Sequence, residues 1–287
     1  MPSQIRRGYR SLLNTCIQYY IKTRHLNIQR RSLLTFPSVK SLCRSGVAAL
    51  SLVVCTAVFA VQVERVGATA GGIPFTFLDV KSNTIQGMMI DVVSAVGQKA
   101  GFDVQVQPMA FSSLVSALTS NKVDLLSAAL LITPAHQQVM AFSDPIYAYG
   151  EALVVPKTDT KPYVSFNDLK GMTVGGQIGT IYVDALKKSG VFKEVKAYDS
   201  TSDLMRDLNS GRIQAAIADG PVIAYYLKQG LYPATHIVAS YKPTMVGSLG
   251  IGMRKDDEAM QARVNKALKE LVADGTMNRI LAKWGLH

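Results

Sequence analysis

Few residues in this chain have the type and spacing to act on a small molecule. Asp219 closes an apolar β-type run and precedes Gly220-Pro221. A carboxylate there either caps the following helix or stands at a cleft edge and pairs with a ligand ammonium. Gly175-Gly176-Gln177-Ile178-Gly179-Thr180 follows a strand-like run and opens a helix. It has neither the Walker lysine nor the dinucleotide glycine spacing. It is a tight turn, or a turn whose free N–H groups and Thr180 hydroxyl hold a small anion. Phe111 precedes Ser112, which fits a hydrophobic staple before an N-cap or an aromatic platform for a ligand.

Most other chemistry is excluded. Cys16, Cys43 and Cys55 all lie in the first 60 residues, so the body has no disulfide framework, thiolate zinc site or cysteine nucleophile. Its histidines are His136, His236 and His287, with no His-Glu-x-x-His helix and no Gly-x-Ser-x-Gly elbow. No catalytic residue, metal or cofactor is expected.

Charge separates the chain into two parts. The first 60 residues hold 9 Lys/Arg and no Asp or Glu, leaving 22 Lys/Arg against 20 Asp/Glu in the body. The basic balance therefore belongs to a leader, and a nucleic-acid partner is not expected. Residues 46–63 are almost wholly apolar and follow Lys40 and Arg44, and Val58-Phe59-Ala60 has the small residues of a signal-peptidase site. This predicts a secretory leader over 1–60, apolar core 46–60, cut after Ala60, and a periplasmic protein. An uncleaved membrane anchor, lipidation at Cys55 (with Val54 a poor residue before it) and an organellar transit peptide are the rival readings. Residues 1–38 are long for a basic n-region, which suggests translation from near Val39.

Candidate strands cover 63–68, 104–107, 123–128, 152–155, 173–176, 194–198, 213–218 and 249–253. Met89, Val92, Val93, Val96 and Ala100 follow helical spacing, as do Met260, Val264, Ala267, Leu268, Leu271 and Val272. Thr133-Pro134 reads as an N-cap with proline at N1. This alternation predicts α/β layers with largely parallel sheets. Leu114-Val115-x-x-Leu118-x-Ser120-x-Lys122-Val123 also matches Leu204-Met205-x-x-Leu208-x-Ser210-x-Arg212-Ile213 at constant offset. Either any two α/β units look this alike, or the chain has two similar lobes, with Ala129 and Asp219 at equivalent positions on opposite cleft walls.

Several segments together resemble the polar amino-acid class of bacterial periplasmic solute-binding proteins, the receptors of ABC importers. They are Ile73-Pro74-Phe75, Lys122-Val123-Asp124, Ile132-Thr133-Pro134, Phe142-Ser143-Asp144-Pro145, Asp168-Leu169-Lys170-Gly171, Gly179-Thr180, Gly211-Arg212, and Asp274-Gly275-Thr276 with Trp284. The resemblance runs from about Arg65 to Gly285. It implies the type II periplasmic-binding fold, two α/β lobes joined by hinge strands at 151–157 and 248–254. Lobe one would hold 61–153 plus 252–287, and lobe two 154–251. It implies a monomer that closes around a small polar solute, an amino acid or a relative of one, and delivers it to importer membrane subunits.

Residue by residue, the resemblance implies that Asp219 holds the ligand ammonium and Phe111 stacks on its side chain. Gln177 and Thr180 then fall in the anion-facing turn. The family's Thr-Pro-x-Arg segment is here Thr133-Pro134-Ala135-His136, so the arginine fork for a ligand carboxylate is missing. His136 is either a solvated helix residue or a weaker, pH-dependent donor in the arginine's place. Ala129 and Leu131 stand where hydroxyl residues are common, Gly72 where an aromatic is common, and Met89 where an acid is common. The alternative functions are a prephenate-type cyclohexadienyl dehydratase on the same fold, with His136 or Asp144 as acid–base groups, and a membrane-anchored sensor.

Overall fold

The structure is a computed structural model, and it describes residues 61–286. The leader, its cleavage point, the start near Val39 and His287 lie outside the described residues.

Two five-stranded sheets dominate. The first runs in the order Phe102–Pro108, Gln62–Ala68, Leu125–Leu126, Gly252–Arg254, Met140–Phe142. The second runs Glu194–Tyr198, Thr173–Gln177, Ala215–Asp219, Glu151–Pro156, Thr235–Ile237. In each, the first two pairings are parallel and the last two antiparallel, so only the fourth strand runs against the rest. In each, the second strand of the order leads through a helix to the first, and the first leads through another helix to the third. The sequence repeat is thus a repeat of structure: two α/β lobes with the same strand order.

The helices follow their apolar spacing. In Met88–Ala100, Met89, Val92, Val93 and Val96 are fully buried. Gly87 opens this helix at φ 133, where a Cβ would strike the Phe75 carbonyl, so only glycine fits. In Glu258–Ala273 the buried face is Met260, Val264, Ala267, Leu268 and Leu271, packed on Met88–Ala100, so the C-terminal helix returns to the first lobe. Val272, expected on that face, is 61% exposed. The helix ends one residue later, and position 272 has rotated off the seam.

Three strand expectations change. The run 123–128 pairs only at Leu125–Leu126, because its flanks are tied by single bonds, Asp124 N–H to Arg65 O and Ser127 N–H to Gly67 O. The second-lobe run 213–218 starts later, at Ala215, and reaches Asp219. The run 249–253 divides into Gly247–Leu249 and Gly252–Arg254. Between them, Ile251 N–H donates to Ser143 Oγ and Ser143 N–H donates to Ile251 O, both at 2.9 Å.

The strands that pass between the lobes are Tyr147–Tyr149 and Gly247–Leu249, which pair antiparallel as a separate two-stranded sheet. The expected crossing at 151–157 lies instead inside the second sheet. The reason is Glu151, which is buried and accepts from Tyr241 Oη at 2.8 Å, Thr244 N–H at 2.7 Å and Met245 N–H at 3.0 Å. Those partners belong to the segment entering Gly247–Leu249. A buried carboxylate with three strong donors fixes this strand start in the second lobe.

Candidate functional site

Asp219 ends its strand at the N-cap position of the helix Gly220–Lys228, yet its side chain makes no capping bond. Gly220 N–H donates to Gly150 O at 3.0 Å, and a Cβ on Gly220 would stand 2.8 Å from that oxygen. Glycine therefore lets the strand turn tightly against the hinge. The turn aims Asp219 at two phenols: Tyr182 Oη donates to its Oδ1 at 2.7 Å and Tyr149 Oη at 2.9 Å. Among the described residues no hydrogen bond reaches Oδ2, and Asp219 lines a cavity of about 520 Å³. That volume suits a small metabolite.

Burial pushes the Asp219 carboxyl up to about 6, opposed by the two phenol hydrogen bonds. Burial and the neighbouring Asp219 charge hold both tyrosines above the ordinary phenol value, so both stay donors. Tyr149 is fixed further by stacking on Phe75, with ring centroids 5.2 Å apart. Its hydroxyl also stands 3.4 Å from Ala129 O. The two repeat-equivalent positions, Ala129 and Asp219, are thus joined through one phenol.

The expected site residues fall into two adjoining spaces. Gly72, Phe111, Ala129, Gln177 and Asp219 line the main cavity. Leu131, His136 and Thr180 line a narrow recess beside it, shared with Phe111, Ala129 and Asp219. Phe111 opens the turn Phe111–Ser113, and the next helix takes Ser113 as N-cap, so the staple before Ser112 does not form. The ring packs on the first lobe's apolar cluster and faces the cavity from there. Gly179, at φ 83, brings the opposite wall so close that a Cβ would stand 2.9 Å from Ser112 Cα.

In the turn before helix Ile181–Ser189 the Thr180 donors are already engaged within the turn. Thr180 Oγ1 donates to Gln177 O at 2.7 Å, and Thr180 N–H donates to the same oxygen at 3.3 Å. Gln177 Nε2 donates to Asp199 O at 3.2 Å, while its Oε1 accepts from Thr201 Oγ1 at 2.9 Å. His136 is also engaged. Its N–H donates to Thr133 Oγ1 at 3.1 Å, as the Thr-Pro start requires. Its Nδ1 donates to Leu131 O at 2.9 Å, since a carbonyl can only accept.

Sequence reasoning missed part of the cavity. Thr69, Met109 and the run Asp199-Ser200-Thr201-Ser202 line it too. That run follows a strand at its carboxyl end, where sites in open α/β sheets lie, so the same rule that singled out Asp219 reaches it. Tyr149, Tyr182 and Tyr226 carry no local signal. Tyr226 Oη donates across the cleft to Gly71 O at 3.1 Å and stands 3.2 Å from Ser202 Oγ.

Comparison with known proteins agrees with this geometry. Residues 65–287 match the family described as bacterial extracellular solute-binding proteins, family 3. The arginine-binding extracellular protein ArtP of Bacillus subtilis (strain 168) is 33% identical over 220 residues, 76% of this chain and 84% of that protein. The structure of an ancestral arginine-binding protein bound to arginine is 35% identical, with TM-score 0.72, covering 78% of this chain and 98% of that one. An ancestral amino acid-binding protein, described as a precursor of cyclohexadienyl dehydratase, is 30% identical with TM-score 0.70, covering 78% and 95%. The chain belongs to the family 3 solute-binding proteins.

Proposed function

We propose that this family 3 solute-binding protein is the receptor of an ABC importer and captures a small solute bearing an ammonium group, an amino acid or a close relative. The observation that carries the reading is Asp219, a carboxylate with one oxygen fixed by two phenols and the other left to an interlobe cavity. Relatives named for arginine binding support it.

Asp219 takes the ligand ammonium. Phe111 covers the ligand's apolar part, and Ala129, Leu131 and Gly72 leave room by having no polar side chain. Gln177 and Thr180 act indirectly, holding the walls together. His136 offers Nε2, an acceptor when neutral and a donor when protonated. The lobes divide at the Tyr147–Tyr149 and Gly247–Leu249 pair, so the expected boundary at 153/154 moves to before Glu151, whose strand belongs to the second lobe. The protein works as a monomer in the periplasm after removal of the leader, and importer membrane subunits read its closed form. Among the described residues no helix is long and apolar enough to cross a membrane.

The dehydratase alternative needs acid–base groups in the cavity. Asp144 lines neither space and lies 3.9 Å from Lys269 instead, and His136 is tied to Leu131.

The test is a thermal-shift screen of the purified protein against amino acids, diamines, opines and organic acids. A ligand of the folded state raises the midpoint by mass action, by roughly 2.7 kcal/mol of stability at 100 times Kd. The reading requires a shift with at least one ammonium-bearing solute, lost in Asp219→Asn. Shifts with organic acids alone would contradict it.

A further inference from the structure

The cavity walls accept hydrogen bonds far more than they donate them. Of the side chains lining the cavity and its recess, none is Lys or Arg, while Asp199 and Asp219 are both carboxylates. Three hydroxyl hydrogens on the second lobe's wall are already committed inside that lobe. Ser200 Oγ donates to Asp203 Oδ2 at 2.7 Å, Thr201 Oγ1 to Gln177 Oε1 at 2.9 Å, and Thr180 Oγ1 to Gln177 O at 2.7 Å. What these groups turn toward a ligand is lone pairs. The phenols of Tyr149 and Tyr182 point at Asp219. The start of helix Thr201–Asn209 is also satisfied, since Ser200 Oγ accepts the Asp203 N–H at 3.1 Å and the Asp203 carboxylate sits on that first turn. His136 has its Nδ1 hydrogen on Leu131 O, so the neutral ring shows Nε2 as another acceptor.

A ligand carboxylate closed into this space would lose its water and meet two like charges with no fixed cation. An ammonium group meets the reverse. Asp199 is exposed at the rim and forms no ion pair among the described residues, so it offers a second negative charge. Pro108, Met109, Ala110 and Phe111 line the same cavity and give it an apolar wall fit for a methylene chain.

We infer that the ligand is a linear diamine without a carboxylate, one ammonium on Asp219, the other toward Asp199, and the methylene chain against Phe111. This rests on the receptor reading above and names its substrate class.

Two pairs of solutes test it, because each differs only by the carboxylate: putrescine against ornithine, and cadaverine against lysine. Isothermal titration calorimetry at pH 7.5 on the purified protein should find at least one diamine bound at least tenfold more tightly than its amino acid. That factor is the low end for an unpaired charged group. Asp199→Asn should weaken the diamine about fivefold, the scale of a rim ion pair, and leave butylamine unchanged. An amino acid bound as tightly as its diamine, or tighter, overturns the inference and leaves the receptor reading standing. An equal loss for diamine and butylamine in Asp199→Asn overturns the two-ended arrangement. If neither pair binds, the inference fails, and the receptor reading fails with it unless another ammonium solute binds in an Asp219-dependent way.

Discussion

The Tyr182 hydroxyl lies 2.7 Å from Asp219 Oδ1, reaching it from the first turn of helix Ile181–Ser189. This one contact joins a helix start, a strand end and the cleft. It leaves the carboxylate charged enough to attract a cation although burial works against the charge.

Tyr182→Phe removes that donor while keeping the ring. Hydrogen bonds to charged groups contribute about 1.5–3 kcal/mol, so the Asp219 carboxyl should titrate higher still. Binding of an ammonium solute at pH 7.5 should weaken by about tenfold, and the pH below which binding fails should rise. Calorimetry across pH 5–8 measures both; an unchanged pH profile would show that Tyr182 does not tune the carboxylate.

The unliganded protein carries the same shift as a stability term. Asp219 has an ordinary carboxyl value of 3.8 unfolded and about 6 folded. The folded state holds the proton more tightly, so this group favours folding fully below about pH 4 and loses that contribution as pH rises through about 6. Asp219→Asn should therefore gain stability over the native protein on going from pH 4 to pH 7, by about 2–3 kcal/mol. Denaturant titrations at both pH values measure it, and an equal difference at the two would contradict the raised carboxyl.

Glu151 should matter to folding rather than to binding. Its truncation in Glu151→Ala orphans Tyr241 Oη and the N–H groups of Thr244 and Met245. The expected loss is about 3–5 kcal/mol in denaturant unfolding. A loss under about 1 kcal/mol would mean water replaces the carboxylate and the hinge entry is not anchored there.

The bond from Tyr226 Oη to Gly71 O spans the cleft, which is where a latch between the lobes would act. One neutral hydrogen bond contributes about 0.5–1.5 kcal/mol, so Tyr226→Phe should speed ligand release about two- to tenfold. Association should change little, since the bond forms only on closure. Stopped-flow fluorescence separates the two rates; slower association with unchanged release would contradict the latch.

Much of this architecture was legible before the structure. Met89, Val92, Val93 and Val96 show a helical period because one face is wholly buried, and Thr133-Pro134 marks a helix start by local chemistry alone. The repeat placed Ala129 opposite Asp219, and one phenol does join them. The crossing was legible only in part: the expected 248–254 overlaps Gly247–Leu249, whereas 151–157 misses Tyr147–Tyr149. The run 249–253 is apolar throughout, and nothing local says that it leaves one sheet and enters another at Gly250. The partners of Asp219 were hidden for the same reason. Tyr149 and Tyr182 come from 70 and 37 positions away, and their role exists only after folding. The anion-holding reading of the Gly175–Thr180 turn depended on free donors, and Gln177 O already accepts two of them.

The most direct measurement is calorimetric titration of the native protein and Asp219→Asn with putrescine and with L-arginine at pH 7.5. A desolvated charge pair loses about 2–5 kcal/mol when one partner is neutralised. Whichever solute the native protein binds should therefore bind the variant at least thirtyfold more weakly, while the variant remains folded by circular dichroism. Equal affinity in the two proteins would show that the cleft does not hold its ligand through Asp219.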